Sequence, residues 1–255
     1  MNRLNIDVVL SPPEIDLLPH RDLSATAAVV FDVLRATSTM ITALANGAAG
    51  IRPVRTIEEA RTLKAKLPAA LLGGERHGER IEGFDLGNSP LEYGANVRGR
   101  EIISTTTNGT IALRAASHAA SVLAASLLNI GAVAAHLAAN PSREILLVCA
   151  GTFREAALED ILAAGMLISL LPTPALTDSA RLALALYRQN RDDLPAVLHA
   201  SRNGRALLAK DRAAEVDWCA RPSVFPIVAA MDSRGLVRAL PLPQAAAAAA
   251  DDSRE

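Results

Sequence analysis

Four stretches of the chain place acidic, basic and hydroxyl side chains where an apolar run ends. In residues 29–46, VVFDVLRATSTMITALAN, Asp32 follows the apolar residues, Arg35 comes three positions later, and Thr37, Ser38 and Thr39 open a helical pattern. A carboxylate that can ligate a hard cation, a guanidinium that can fork onto oxyanions and a hydroxyl-rich helix start are the parts of a site for metal-bound phosphate. The same residues also read as a plain helix cap with Asp32 paired to Arg35. Leu34 stands where a DxD aspartyl-phosphate motif would carry its second acid, so that motif is absent.

The second stretch, 71–91 (LLGGERHGERIEGFDLGNSPL), mixes glycines with charges. It offers Glu75, Glu82 and Asp85 as hard-oxygen donors and Arg76 as an anion contact, or else a solvated loop. The third, 102–110 (IISTTTNGT), ends in three threonines and Asn108-Gly109 before an Ala-rich helix. It is either an anion cradle of hydroxyl and N–H groups or a capped strand end. The fourth, 145–165 (ILLVCAGTFREAALEDILAAG), closes an apolar run at Cys149 and places Glu159 and Asp160 early in a helix. Cys149 and Arg154 are separated by four residues, one short of the C-x5-R loop of cysteine phosphatases. Cys149 also reads as a small apolar residue closing a strand.

These segments need a scaffold that brings strand ends together. Apolar runs at 6–10, 27–31, 51–54, 69–72, 101–104, 121–125 and 144–149 read as strands, and 38–46, 57–67, 110–118, 130–138 and 158–170 as helices. The alternation predicts an α/β fold, a layered α/β/α arrangement around a mostly parallel sheet. In such a sheet the carboxyl ends of the strands form the ligand crevice, and the helices that follow present free N–H groups there. Residues 1–171 form the α/β core carrying most of the motifs. Residues 172–240 read as a mainly helical segment packing on or extending that core, with a late strand near 225–229. Residues 241–255 are a low-complexity tail.

Composition narrows the function. With 255 residues and half of them hydrophobic, the chain is globular rather than disordered. The 26 Lys and Arg against 27 Asp and Glu give a net charge of −1, which together with 3% aromatic residues argues against nucleic-acid binding. Two cysteines suffice neither for a disulfide framework nor for a tetrahedral zinc site. The dispersed histidines, His20, His77, His118, His136 and His199, show no HExxH spacing, and neither GxGxxG nor GxxxxGK[ST] occurs. Without a signal peptide or an unbroken apolar span, a cytoplasmic protein that avoids membranes is expected. A homodimer is the default assembly, because two-fold symmetry is the commonest.

The stretches FDVLRATSTMITALANGA, LLGGERHGERIEGFDLGNSPLEY, IISTTTNGTIALRAA and VCAGTFREAALEDILAAG, with a weaker SRNGRALL at 201–208, resemble the 2-phosphosulfolactate phosphatase (ComB) family in this order. The resemblance implies a ComB-like α/β fold of its own type and a Mg²⁺-dependent phosphoric monoester hydrolase. Such an enzyme releases sulfolactate and phosphate from 2-phosphosulfolactate, a small phosphorylated and sulfonated acid associated with coenzyme M biosynthesis. Carried onto this chain, it implies site roles for Asp32, Arg35, Glu75, Asp85, Thr107, Asn108, Glu159 and Asp160, with Asp32, Arg35, Glu75 and Asp85 catalytic; the residue types themselves add Ser38, Thr39, Arg76 and Gly109 to Thr107 and Asn108 as substrate contacts. The metal ligands would come from Asp32, Glu75, Glu159 and Asp160, and Arg76 or Arg154 would meet the sulfonate. His77 and the run Phe153-Arg154-Glu155 depart from the family's pattern. A phosphatase for another small phosphorylated hydroxy acid, a non-catalytic anion-binding protein and a cysteine-dependent phosphatase using Cys149 are the alternatives.

Overall fold

A single mixed sheet organises the molecule. The computed structural model describes residues 4–142, 144–172 and 175–240. In chain order its elements begin with β1 (Asn5–Val9), α1 (Pro12–Ile15), β2 (Thr26–Phe31), α2 (Ala36–Ala45), β3 (Gly50–Pro53), α3 (Ile57–Lys66), β4 (Leu71–Arg76) and β5 (Glu79–Arg80). There follow β6 (Glu101–Thr105), α4 (Gly109–Ala115), β7 (Ser121–Ala125), α5 (Ile130–Ala139), β8 (Glu144–Cys149), α6 (Leu158–Leu170) and β9 (Ala175–Leu176). The last elements are α7 (Asp178–Asn190), α8 (Leu194–Ala200), α9 (Arg202–Leu208), α10 (Ala213–Cys219), β10 (Val228–Met231) and β11 (Val237–Leu240).

The strand order is β5-β4-β6-β3-β11-β10-β7-β2-β8-β1-β9. Strands β4, β6 and β3 form one parallel group, and β7, β2, β8, β1 and β9 form another. The hairpin β10–β11 is antiparallel to both neighbours and joins the two groups.

The central strands are apolar throughout because both faces are covered. Along β2, Ala27, Val29 and Phe31 enter one core, and Ala28 and Val30 enter another. Strand β8 divides in the same way, with Ile145, Leu147 and Cys149 on one side and Leu146 and Val148 on the other. The period of two along a strand produces this split. Residues of α5 to α10 fill the first core, while α2 and α4 fill the second. A third, smaller cluster lies under α3 and β4. The helices of 172–240 thus share a core with the N-terminal strands.

Helix ends follow local chemistry. Thr56, Thr177, Asp193 and Ser201 each accept a backbone N–H from three residues on, capping α3, α7, α8 and α9. Strands β7 and β8 and helix α6 occupy the spans expected from sequence. The expected strand at 69–72 instead runs Leu71–Arg76, through the glycines read as irregular. A Cβ on Gly74 would stand 2.0 Å from the Thr105 carbonyl oxygen, and one on Gly73 would stand 2.4 Å from the Tyr93 hydroxyl. The glycines let β4 lie close against its neighbours, and they extend the strand rather than end it. The late strand begins at Val228 and pairs within the sheet, with β11 as its hairpin partner. The tail 241–255 lies outside the described residues. Among the described residues, no helix is long and apolar enough to cross a membrane.

Helices α6 and α7 pack backbone against backbone. A Cβ on Gly165 would lie 2.0 Å from the Ala183 carbonyl oxygen and 2.9 Å from Tyr187 Cβ. Backbone cannot yield there as a side chain would. Gly165→Ala is expected to destabilise the fold by about 1–3 kcal/mol, read as a lowered urea midpoint. An unchanged midpoint would show that the α6–α7 contact is looser than the geometry implies.

Candidate active site

Strand ends from both parallel groups meet at one cleft. Asp32 follows β2, Glu75 sits near the end of β4, Thr107 and Asn108 follow β6, and Gly151, Thr152 and Phe153 follow β8. Leu34, Arg35, His77, Gly78 and Asn88 continue the wall. Arg202, Asn203, Ala206, Leu207 and Lys210 of the α9 region close the far side.

Asp32 is 8% exposed. Its Oδ1 accepts the Ala36 N–H at 3.0 Å, and the Gly109 N–H bonds its carboxylate as well. A Cβ on Gly109 would stand 2.6 Å from Asp32 Oδ2, so only glycine admits this contact. Burial, with the Glu75 and Glu159 charges beside it, pushes the Asp32 carboxyl up to about 7, against the pull of the two N–H donors.

Glu75 is fixed at both oxygens. Oε1 accepts Thr107 N at 2.7 Å and Thr107 Oγ1 at 2.8 Å, and Oε2 accepts Gly78 N at 2.7 Å. Glu159 is almost wholly buried. Its Oε1 accepts Asn203 Nδ2 at 2.6 Å, while its Oε2 is buried with no hydrogen-bond partner. Burial raises its pKa against that bond. Asp160 accepts Val33 N at 2.8 Å on one oxygen and Gly151 N at 3.0 Å on the other, tying the loop after β2 to the loop after β8. Burial and the neighbouring Glu159 and Asp32 charges push its carboxyl up.

Arg35 is 4% exposed; its Nη1 donates to Glu215 Oε2 and its Nη2 to the Gly78 carbonyl at 3.1 Å. Its pairing partner is therefore Glu215 on α10 and not Asp32. The Leu34–Arg35 peptide is cis.

Several residues singled out in the sequence stand elsewhere. Asp85 is exposed, and its Oδ2 accepts the Leu72 N–H at 2.8 Å, bracing β4 outside the cleft. Ser38 Oγ donates to the Val33 carbonyl and Thr39 Oγ1 to the Asn88 carbonyl, so both hydroxyls shape loops under the site. Arg76 donates to the Glu75 carbonyl and to Thr105 Oγ1, joining β4 to the end of β6. Arg154 pairs with Asp16 on the surface. Neither Arg76 nor Arg154 lines the cleft; Arg202 and Lys210 do. Asn108 lines it while crosslinking two loops through Ala150 O, Phe153 O and Phe153 N.

Cys149 lies in the core, and burial, with the Asp160 charge beside it, pushes its thiol well above the ordinary value. A buried neutral thiol behind the sheet is placed to pack, not to attack phosphate.

The structure adds Glu215, Asn203, Arg202 and Lys210 to the site; in sequence, only the weak SRNGRALL resemblance points to Arg202 and Asn203. Glu215 sits in a helical run whose pattern carries no sign of a partner about 180 positions away.

Among the described residues, no three His, Cys, Asp or Glu side chains form a group that could hold a metal ion by themselves. Mg²⁺ does not require such a cage, because it retains waters and takes one or two protein carboxylates together with substrate phosphate. The unpartnered Glu159 Oε2 and the charge-crowded Asp32 fit that demand. Asp160 and Glu75 have both oxygens engaged by backbone or Thr107 donors.

The family profile described as 2-phosphosulpholactate phosphatase matches residues 14–234. A protein of Deinococcus radiodurans named probable 2-phosphosulfolactate phosphatase is 43% identical over 219 residues, 84% of this chain and 90% of that one. One of Carboxydothermus hydrogenoformans with the same name is 40% identical over 228 residues, 88% and 92% of the two chains. One of Clostridium acetobutylicum, again so named, is 36% identical over 234 residues, 88% and 96%.

The raised Asp32 pKa has a sign for stability. The neutral carboxyl suits the metal-free fold, so its contribution is complete below the unfolded value near 3.8 and is lost as pH rises through about 7. Urea midpoints of metal-free wild type and Asp32→Asn, compared at about pH 5 and about pH 8, should show wild type losing stability relative to the variant at the higher pH. A gap that does not change with pH would contradict the assignment.

Proposed function

The chain belongs to the 2-phosphosulpholactate phosphatase family, and on that premise we propose that its cleft hydrolyses 2-phosphosulfolactate to sulfolactate and inorganic phosphate with Mg²⁺ as cofactor. One observation carries the reading: buried Asp32 and Glu75 line a cleft that also presents Arg35, Arg202 and Lys210, and the buried Glu159 charge lies beside Asp32. Concentrated negative charge beside cationic donors suits a substrate that brings a cation and two or more anionic groups.

Asp32 and Glu159 would hold the metal. When bound, Mg²⁺ supplies Lewis acidity at a phosphoryl oxygen and makes water a better nucleophile. Two of the five Arg35 N–H donors are committed to Glu215 and Gly78. The remaining donors neutralise charge that builds on the phosphoryl oxygens. Glu75, the other acid lining the cleft, is the group that takes a proton from the attacking water, through Oε2, which accepts only the Gly78 N–H. Arg202 and Lys210 stand on the opposite wall, where they replace Arg76 and Arg154 as donors to the sulfonate. Their partners Glu155 and Glu79 hold them in place. Leu34, Ala206 and Leu207 supply apolar lining to the same cleft.

Phosphate release from racemic 2-phosphosulfolactate, measured with Mg²⁺ and then with excess EDTA, tests the proposal. Phospholactate and phosphoglycolate serve as the comparison esters. Release should depend on metal and favour the sulfonated ester. Metal-dependent release from another ester would discard the substrate, and release unaffected by EDTA would discard the metal. Asp32→Asn should lose on the order of a thousandfold in kcat while keeping its far-ultraviolet dichroism. Cys149→Ser should keep wild-type turnover, and its loss would revive the thiol route.

A further inference from the structure

Arg35 is aimed by a residue far from it in the chain. Glu215, 8% exposed on α10, receives its Nη1, and the Gly78 carbonyl receives its Nη2. Gly78 N in turn donates to Glu75 Oε2, so Glu215, Arg35, Gly78 and Glu75 form one continuous chain of bonds. Arg212, at the start of α10, donates to the same Gly78 carbonyl at 2.9 Å and to Glu79 at 3.0 Å. Lys210 adds a bond to Glu79 at 2.6 Å. The turn that carries His77 and Gly78 is therefore held from the α9–α10 side as well as by Arg35 and Glu75.

A buried ion pair is a poor source of stability, since desolvation offsets most of the attraction. What it supplies is geometry. A guanidinium held at two nitrogens by partners on separate elements has few orientations left. We propose that Glu215 is a positioning residue for the phosphatase site, acting through Arg35 and not on substrate. The inference rests on the function proposed above and adds a residue of the C-terminal helical segment to the machinery.

The test is a double-mutant cycle in the full-length chain with Arg35→Ala, Glu215→Ala and the double variant, and with Glu215→Gln as the conservative control. Readouts are kcat and KM for Mg²⁺-dependent release from 2-phosphosulfolactate, and the Kd of inorganic phosphate by calorimetry. Glu215→Ala should lower kcat by about 100-fold and raise KM and the phosphate Kd by about threefold. In the Arg35→Ala background the same change should cost less than about twofold in either readout. Glu215→Gln, which keeps an acceptor for Arg35, should recover about tenfold of the loss.

Additive effects of the two substitutions, or a folded Glu215→Ala with wild-type kcat, would overturn the inference. If Glu215→Ala does not fold, Glu215→Gln alone and combined with Arg35→Ala carries the comparison. If wild type binds phosphate but does not hydrolyse the ester, the proposed function fails. The cycle in Kd then decides the positioning role, with coupling supporting it and additivity overturning it. A wild type that neither hydrolyses nor binds phosphate overturns both.

Discussion

Four carboxylates, Asp32, Glu75, Glu159 and Asp160, are held out of water where three segments of the chain meet, the ends of β2 and β4 and the start of α6. Burial disfavours the charges of Asp32, Glu159 and Asp160, and neighbouring carboxylates add to this at Asp32 and Asp160. The fold tolerates them by aiming backbone N–H groups at their oxygens, from Ala36, Gly109, Thr107, Gly78, Val33 and Gly151. Those N–H groups are free because they lie at helix starts and in strand-end turns, outside the ladders. The local sequence follows from this demand. Gly109 is glycine because a side chain would strike Asp32, and Gly151 has a φ of 71° with no room for a Cβ against the Glu155 carbonyl. Among the described residues, Glu159 Oε2 is buried with no hydrogen-bond partner.

The same constraint explains the division of the chain. The strand ends of the N-terminal part provide the acids and their backbone donors. The segment after residue 176 adds Arg202, Asn203 and Lys210 to the cleft lining, together with Glu215 behind Arg35. These helices cannot drift as a separate unit, because Leu194, Leu198, Val216 and Cys219 share the apolar core of β2 and β8. The β10–β11 hairpin then returns the chain to the middle of the sheet and joins its two parallel groups. The cleft is in this way enclosed by both ends of the sequence.

Much of the scaffold was legible in sequence for a simple reason. Strands buried on both faces must be apolar at every position, so β2 and β8 announce themselves. Helix α6 does so through its length and its bounding residues. Asp32, Glu75 and Glu159 were legible as acids placed next to such elements. What misled was proximity in sequence. Arg35 next to Asp32 suggested a pair, and Arg76 and Arg154 beside site residues suggested anion donors. Side chains next to each other on a strand point to opposite faces, and Arg76 accordingly turns toward Thr105 while Glu75 turns toward Thr107. The glycines of β4 read as a break in the strand, because the close approach of Thr105 and Tyr93 that requires them comes from other segments.

The sequence by itself determined the class of fold, the apolar strands, the family resemblance and which acids stand at strand ends, because hydrophobic period and residue type are local properties. Only the tertiary structure decided which polar groups are engaged and which are free. It placed Asp160 as a staple and Asp85 as a brace, left one oxygen of Glu159 without a donor, and set Glu215 on Arg35 across 180 positions. The reason is physical: the charge state and orientation of a buried side chain depend on everything within a few ångströms of it, and those neighbours come from segments whose spacing along the chain carries no record of their meeting.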